Sequence, residues 1–465
     1  MKKLYYLFFV SLFTILVNAQ SCYTEMQAGR AFTIALKADN TLWAFGSDQY
    51  GQLGNGPAPY SVNAIQIGTD SDWTKIAVAD YSVLAIKTNG TLWAWGRNES
   101  GQLGIGNIID VSVPTQVGTA SNWQQVSIGR WGAMGIKTDG SLWAWGRNEL
   151  GMLGDGTTTD QLSPVQIGSE NNWSKVAMGY YHTLAIKTNG TLWNWGSNVF
   201  NQINGSTDEV VSIPTQVGTE TNWTEIAAGN IHSVALKNDG TIWSWGSNQI
   251  GYLGNGSYEN NFTPTQINLS GSFQKIAVGL GHTIALKSDG SIWAWGLNNS
   301  GQIGNSVINV SPNVSVLTPI QIGTDTNWTK IAVGSHSTFA SKGDSNWAWG
   351  GNSVGMLGNG QTSGNTPSPS LVINCNTLPN EDFFTSTDYL TVYPNPANDF
   401  INLESNYTPI QKIELFDTQG RLVLSQIVRE TLLQYQLNIS ELSSGSYLLK
   451  ATTNIGIESV KIIKK

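Results

Sequence analysis

Two cysteines, four histidines and a 12 % share of charged residues are a thin supply of chemistry for a chain of 465 residues. Two cysteines exclude a disulfide-dense scaffold and any Cys-rich zinc or iron–sulfur site. Basic residues are also short, 24 Lys and Arg against 32 Asp and Glu, and the resulting net charge of −8 argues against a protein built to neutralise phosphates. After the first 20 residues no run approaches the ~18 continuous apolar residues of a membrane-spanning helix. What the chain does have is 51 Gly, 19 Trp and 40 % hydrophobic residues, enough for a large core and incompatible with wholesale disorder. Length alone, at about 150 residues per domain, suggests three domains. The placement of the tryptophans says otherwise.

Residues 1–19 read as an address. Lys2 and Lys3 precede the apolar stretch Leu4 to Val17, and Val17-Asn18-Ala19 offers small residues for signal peptidase. The stretch is short for a membrane span and its charged start fits a secretory signal, with cleavage expected after Ala19. A lipoprotein reading would use Cys22, but Ala19-Gln20-Ser21 is a poor lipobox.

The motif Trp-x-Trp-Gly or a close variant occurs seven times, beginning at Trp43, Trp93, Trp143, Trp193, Trp243, Trp293 and Trp347. The first six start 50 residues apart and the last interval is 54. A second aromatic series opens each unit: Tyr23, Trp73, Trp123, Trp173, Trp223, Phe273 and Trp328. Together these places take 18 of the 19 Trp, and only Trp131 stands outside the register. Within a unit, short β-prone runs such as His182 to Lys187 and Thr191 to Trp195 flank Asn189-Gly190. That dipeptide predicts a type I′ hairpin, in which both central residues take positive φ. Trp193 and Trp195 then share one face of a strand. A lone sheet of this size cannot bury both faces, whereas stacking around an axis covers them. Period, strand content and closure predict an all-β fold, a seven-bladed β-propeller over residues 22–375.

The repeat resembles the regulator of chromosome condensation family. Gly279-Leu-Gly-His282-Thr-Ile-Ala-Leu286 and Gly290-Ser-Ile-Trp-Ala-Trp-Gly296-Leu-Asn298-Asn-Ser-Gly301-Gln-Ile-Gly304 carry the likeness. Unit four departs, with Asn201-Gln-Ile-Asn204, and unit six carries about five extra residues between Asn305 and Pro319. The resemblance implies partner binding on a propeller face. It does not bring a nuclear role: export disagrees with one, as does a balance of 15 basic against 24 acidic residues over 21–384. In repeat register Cys22 and Cys375 meet at the seam between units seven and one. A bridge there is expected in an oxidising compartment, favouring the ring by roughly 4–5 kcal/mol in the chain-entropy model.

Residues 376–388 read as an acidic-polar linker. Beyond them, alternating runs at Ile413–Phe416, Leu422–Leu424, Tyr447–Leu449 and Val460–Ile463, with turns at Gly420 and Gly445, predict a small β-sandwich over 389–465. Tyr393-Pro394-Asn395-Pro396, Phe416-Asp-Thr-Gln-Gly420-Arg421, Leu442-Ser-Ser-Gly445-Ser-Tyr447 and the closing Lys461-Ile-Ile-Lys-Lys465 resemble the type A C-terminal sorting domain of the type IX secretion system. That resemblance implies passage through the periplasm, recognition by the outer-membrane translocon, frequent removal of the domain and a Bacteroidetes-type source.

Signs of catalysis are sparse. His182, His232, His282 and His336 are placed at one equivalent position in four units. A four-histidine metal site is the sharp reading, and hydrogen bonding within each blade the one preferred. The lysines recurring once per unit (Lys37, Lys87, Lys137, Lys187, Lys237, Lys287 and Lys342) are expected to be solvated. Asp155 to Asp160 lacks the closing bidentate Glu of a calcium loop and reads as a turn. No Ser/His/Asp or Cys/His set and no phosphate-binding glycine loop is legible. The expectation is a monomeric protein that is not an enzyme, with no cofactor and no metal.

Departures from the repeat are more telling. Two residues between the unit Gly and the His position differ blade by blade: Arg30-Ala31, Asp80-Tyr81, Arg130-Trp131, Tyr180-Tyr181, Asn230-Ile231 and Leu280-Gly281, with unit seven giving only Ser335. As equivalent loops they should emerge on one face. Tyr81, Arg130, Trp131, Tyr180, Tyr181 and Asn230 are therefore the candidate binding residues, of types that dominate interaction hot spots. Aromatics also stack on sugar rings, and they also fill channels. The preferred reading is a secreted or surface binding propeller for an extracellular protein, an inhibitor being one form. The alternative is a glycan-binding or glycan-degrading protein.

Overall fold

The computed structural model describes residues 23–374 except 57–58, 200–202, 204–207, 308–314 and 363, and residues 390–465 except 406–408, 418–420, 429–432 and 454–455. The signal segment, Cys22, Cys375, the 376–388 linker and Gly420 lie outside the described residues. The chain divides into two units after Asn376.

In the first unit every repeat folds into its own four-stranded antiparallel sheet, with strands in sequence order. The seven sheets span 23–66, 73–116, 123–166, 173–217, 223–266, 273–321 and 328–374, and are called blades 1 to 7. First strands of neighbouring blades contact one another all the way round, including blade 1 against blade 7. That closes a ring whose axis the first strands line. Among the described residues no strand is exchanged at the closing seam. Lys330 Nζ donates to Thr24 O (2.6 Å) and Ser335 N to Gly29 O (3.1 Å) there.

The core is distributed among the seams. Buried apolar side chains fall into seven clusters, each shared by two adjacent blades. The second tryptophan of the motif is the bolt: Trp145 is fully buried, and its indole N–H donates 2.9 Å to Gln102 O in the preceding blade. Trp95, Trp195, Trp295 and Trp349 repeat this bond across their seams. The first tryptophan stays in its own blade, as Trp193 Nε1 does with Thr191 Oγ1 (2.9 Å).

Three sequence expectations need correction. The hairpins are not type I′. Gly190 N bonds Lys187 O and Lys187 N bonds Thr191 O, which encloses a three-residue loop in which only the glycine takes positive φ (78°). Asn189 instead turns its side chain forward to accept from Thr191 N and Oγ1. In blade 1 the same place is held by Asn40, at φ 61°.

Four of the seven repeating lysines, Lys37, Lys87, Lys187 and Lys237, are buried rather than solvated, and the other three are half-buried. Lys187 is buried, its ammonium 4.7 Å from the Trp173 ring centre and 3.6 Å from that of Trp193, and it is paired with Glu170 at 2.7 Å. Two aromatic faces and a carboxylate offset its loss of water. Where the carboxylate position is Ala120, burial pulls the Lys137 amine down from its ordinary value.

Nor are the four histidines equivalent, and those at the buried position do not bond within their own blades. Ser337 pairs with Gly350 as His182 pairs with Gly196, so His336 occupies the variable loop and unit seven is not shortened. His182 Nε2 meets Ser233 Oγ (2.8 Å) and His282 Nε2 meets Thr338 Oγ1 (3.0 Å), both in the following blade. Ring stacking, not in-blade pairing, sets what a side chain at this position can reach.

The second unit packs a three-stranded sheet (Leu390–Tyr393, Phe400–Ser405, Gln434–Asn438) and a four-stranded sheet (Leu422–Ile427, Ile410–Phe416, Gly445–Thr453, Gly456–Lys464). Ile401, Leu403, Ile413, Leu415 and Leu449 are among its fully buried residues. Gly445 opens a strand rather than forming a turn, and Tyr447 Oη reaches back to Ser443 O (2.8 Å). The Tyr393–Pro396 motif clasps the closing strand. Asn395 Nδ2 donates to Lys461 O (2.7 Å), Ile463 N donates to Asn395 Oδ1 (2.9 Å), and Ala397 N reaches Ile463 O (2.8 Å). Two sequence-distant pieces thus form one element.

Candidate functional site

The variable loops meet at one end of the ring, and backbone bonds join several of them to a neighbouring loop. Arg30 N donates to Asp80 O (2.9 Å), Tyr180 N to Gly229 O and Leu280 N to Ser335 O (both 3.3 Å). The unit glycines permit this approach: a Cβ on Gly129 would lie 2.1 Å from Gly179 O. Each loop's second residue also accepts from the end of the third strand, as Tyr81 O does from Arg97 N (3.0 Å) and Trp131 O from Arg147 N (2.9 Å).

The two residues of each loop part company. First-position side chains join one another across blades. Tyr180 Oη donates to Asp80 Oδ1 at 2.5 Å although the residues lie two blades apart. Arg130 Nε stands 3.5 Å from Asp80 Oδ2. Burial, and then the Asp80 carboxylate, push the Tyr180 phenol up. Asn230 belongs to the same set, half-buried, with its Oδ1 lacking a hydrogen-bond partner.

Second-position side chains form a half-buried shelf around that set. The Trp131 ring centre lies 4.5 Å from the Arg130 guanidinium and 5.2 Å from that of Arg147. Tyr81 packs on Tyr50 (ring centres 4.9 Å), with the Arg97 guanidinium 4.9 Å from Tyr50 and 5.9 Å from Tyr81. Tyr181 meets Tyr180 edge to face at 6.2 Å. All six candidate residues therefore lie at one end of the ring, in two distinct layers. Residue-level reading omitted Asp80, the hub of the inner layer, although it stood in the same register. It also omitted Tyr50, Arg97 and Arg147, whose signal was available: Ser47, Ser197 and Ser247 hold the arginine position in other units.

The possible metal sites resolve into structure. His182, His232 and His282 are fully enclosed, and loss of water pulls their imidazoles down to about 4, 3 and 3. Asp155 accepts from Asn148, Thr157 and Gln161 side chains, which makes its loop a hydrogen-bonded turn. Among the described residues no group of three His, Cys, Asp or Glu side chains is placed to hold a metal ion.

A ring of seven four-stranded blades with converging loops defines a β-propeller. Comparison with known families places it further: the RCC1-like domain model matches residues 112–383, and the RCC1 repeat model matches 24–52 and 73–102. The chain belongs to the RCC1-like family. The secretion system C-terminal sorting domain model matches residues 391–465, which marks the protein for export by the type IX route, to secretion or the cell surface. Among solved structures, yeast RCC1 (Prp20) bound to Kap60 is similar at 19 % identity and TM-score 0.65, over 81 % of this chain and 88 % of that one. Prp20p of Saccharomyces cerevisiae, described with its binding to Gsp1p and histones, is similar at 21 % and 0.65, over 80 % and 90 %. Human WBSCR16 is similar at 20 % and 0.63, over 70 % and 88 %. No curated protein matches the chain.

Proposed function

We propose that the protein is a secreted or cell-surface binding propeller, without catalytic activity, that engages extracellular protein partners through the variable-loop end. Tyr81, Arg130, Trp131, Tyr180, Tyr181 and Asn230 lie at or beneath the contact. The observation that carries this reading is the location of the departures from the repeat. The single tryptophan outside the register is half-exposed at that end, against Arg130 and Arg147 of its own blade. Yeast RCC1 in complex with Kap60 supports the class of function and not the partner. A net-negative ring on an exported chain does not suit nuclear partners. A Cys22–Cys375 bridge belongs to the same reading, and exported, non-reduced protein should then show no free thiol on titration.

Capture from culture supernatant tests the proposal. Trp131→Ala with Tyr181→Ala should lose specific partners while keeping the wild-type melting profile. Capture that survives both substitutions removes this end of the ring from consideration. A glycan array run in parallel decides the other reading, because a Trp131-dependent glycan signal would replace the protein partner with a carbohydrate.

A further inference from the structure

The propeller's positive charge is sorted by chemistry. All four of its arginines, Arg30, Arg97, Arg130 and Arg147, lie at the variable-loop end of blades 1 to 3. Its lysines occupy the two registers near the opposite, hairpin end, exemplified by Lys75 and Lys87. Three of the arginines are laid against aromatic rings: Arg97 against Tyr50 and Tyr81, Arg130 against Trp131 and Tyr180, Arg147 against Trp131. Stacking holds a guanidinium plane in place and leaves its edge as a planar fork, the geometry that matches a carboxylate with two parallel hydrogen bonds.

The carboxylates already present do not use up this capacity. Arg97 and Arg147 each pair with the glutamate two residues on, Glu99 and Glu149, which are about half exposed (45 % and 54 %). Pairs this open to water exchange readily for a better-placed anion. Arg30 is exposed with no carboxylate within ion-pair distance among the described residues. Beside the arginines, blade 4 offers half-buried Tyr181 and Val199 at 55 % exposure.

Resting on the binding function above, we infer that this surface recognises an acidic polypeptide segment, its carboxylates taken by the Arg30, Arg97 and Arg147 forks and an adjoining apolar side chain by Tyr181 and Val199. A polysaccharide is the less suitable occupant. Sugar rings need bare aromatic faces, and here guanidinium groups already lie against Tyr50, Tyr81, Tyr180 and Trp131.

The test uses the exported protein and fluorescence anisotropy with three labelled probes: a synthetic peptide of alternating Glu and Leu, its counterpart in which Gln replaces every Glu and Leu is kept, and polygalacturonate. The acidic peptide should bind, with the Gln peptide about tenfold weaker or more. The double variant Arg97→Lys with Arg147→Lys keeps the charge and loses the stacked fork. It should lose about fivefold or more in affinity, with an unchanged melting profile. Equal binding of the two peptides, no binding of the acidic one, or full affinity of the lysine variant overturns the inference. Polygalacturonate binding in the absence of peptide binding also overturns it, in favour of an anionic glycan. Failure here with Trp131-dependent partner capture intact leaves the broader function standing and removes only the acidic class.

Discussion

At the residue scale the main lesson lies in the histidines. Three imidazoles enclosed at the seams hold pKa values of about 4, 3 and 3, below the 6.5 of an unperturbed histidine. The unfolded chain therefore binds protons between pH 6.5 and about 4 that the folded ring refuses, and stability falls as pH falls through that window. Each histidine contributes a slope of about 1.4 kcal/mol per pH unit. His232 is the informative one, since neither ring nitrogen has a hydrogen-bond partner and the ring stacks on Tyr252 at 4.9 Å. Blade 1 carries Phe32 in the same place. His232→Phe should fold and reduce the acid-sensitive slope by up to about 1.4 kcal/mol per pH unit, measured as denaturant stability at several pH values above 4. An unchanged slope would show that His232 is not held neutral. The positions of His182, His232 and His282 are legible from the repeat, but their partners are not, because a period of 50 residues says nothing of which neighbouring blade a ring nitrogen faces. His336 differs for a related reason: a shared residue type is not a shared register, and strand pairing puts Ser337 there instead.

At the scale of a single blade, the hairpin shows how composition and geometry divide the work. Asn-Gly correctly marked the turn, while the loop length depends on how the flanking strands pair, so the predicted turn type was wrong. Gly190 holds a left-handed φ, and a Cβ there would lie 2.1 Å from Thr221 O of the next blade's entry. Gly190→Ala should therefore cost about 2 kcal/mol or more, combining left-handed strain with displacement of that carbonyl. Asn40→Gly, at the corresponding position of blade 1, relieves the same kind of strain and should be neutral or slightly stabilising. Chemical denaturation of the two variants checks both, and equal effects in the two blades would contradict the account. The buried lysines belong to this scale too. Their recurrence was visible, yet the aromatic box that encloses each one is assembled from two strands of a blade and the segment entering it.

At the scale of the whole molecule, two units with separate cores divide location from binding. Removing the residues after Asn376 should leave the propeller folded, with its tryptophan fluorescence and melting transition retained, and should stop passage through the outer membrane so that the protein accumulates in the periplasm. Passage of the truncated chain through the outer membrane would refute the role given to the sorting domain. The number of blades and the all-β class of the second unit followed from the sequence. Repetition forces each unit into the same fold, and 18 of 19 tryptophans mark it. Closure decided the rest. Only when blades stand side by side does Tyr180 reach Asp80 two blades away, and only the folded strands bring Trp131 between Arg130 and Arg147 within blade 3 and let Asn395, in the second unit, fasten a strand 66 residues distant. Those relations join residues that are far apart along the chain or turned towards one another by packing, and a linear pattern carries no such distances.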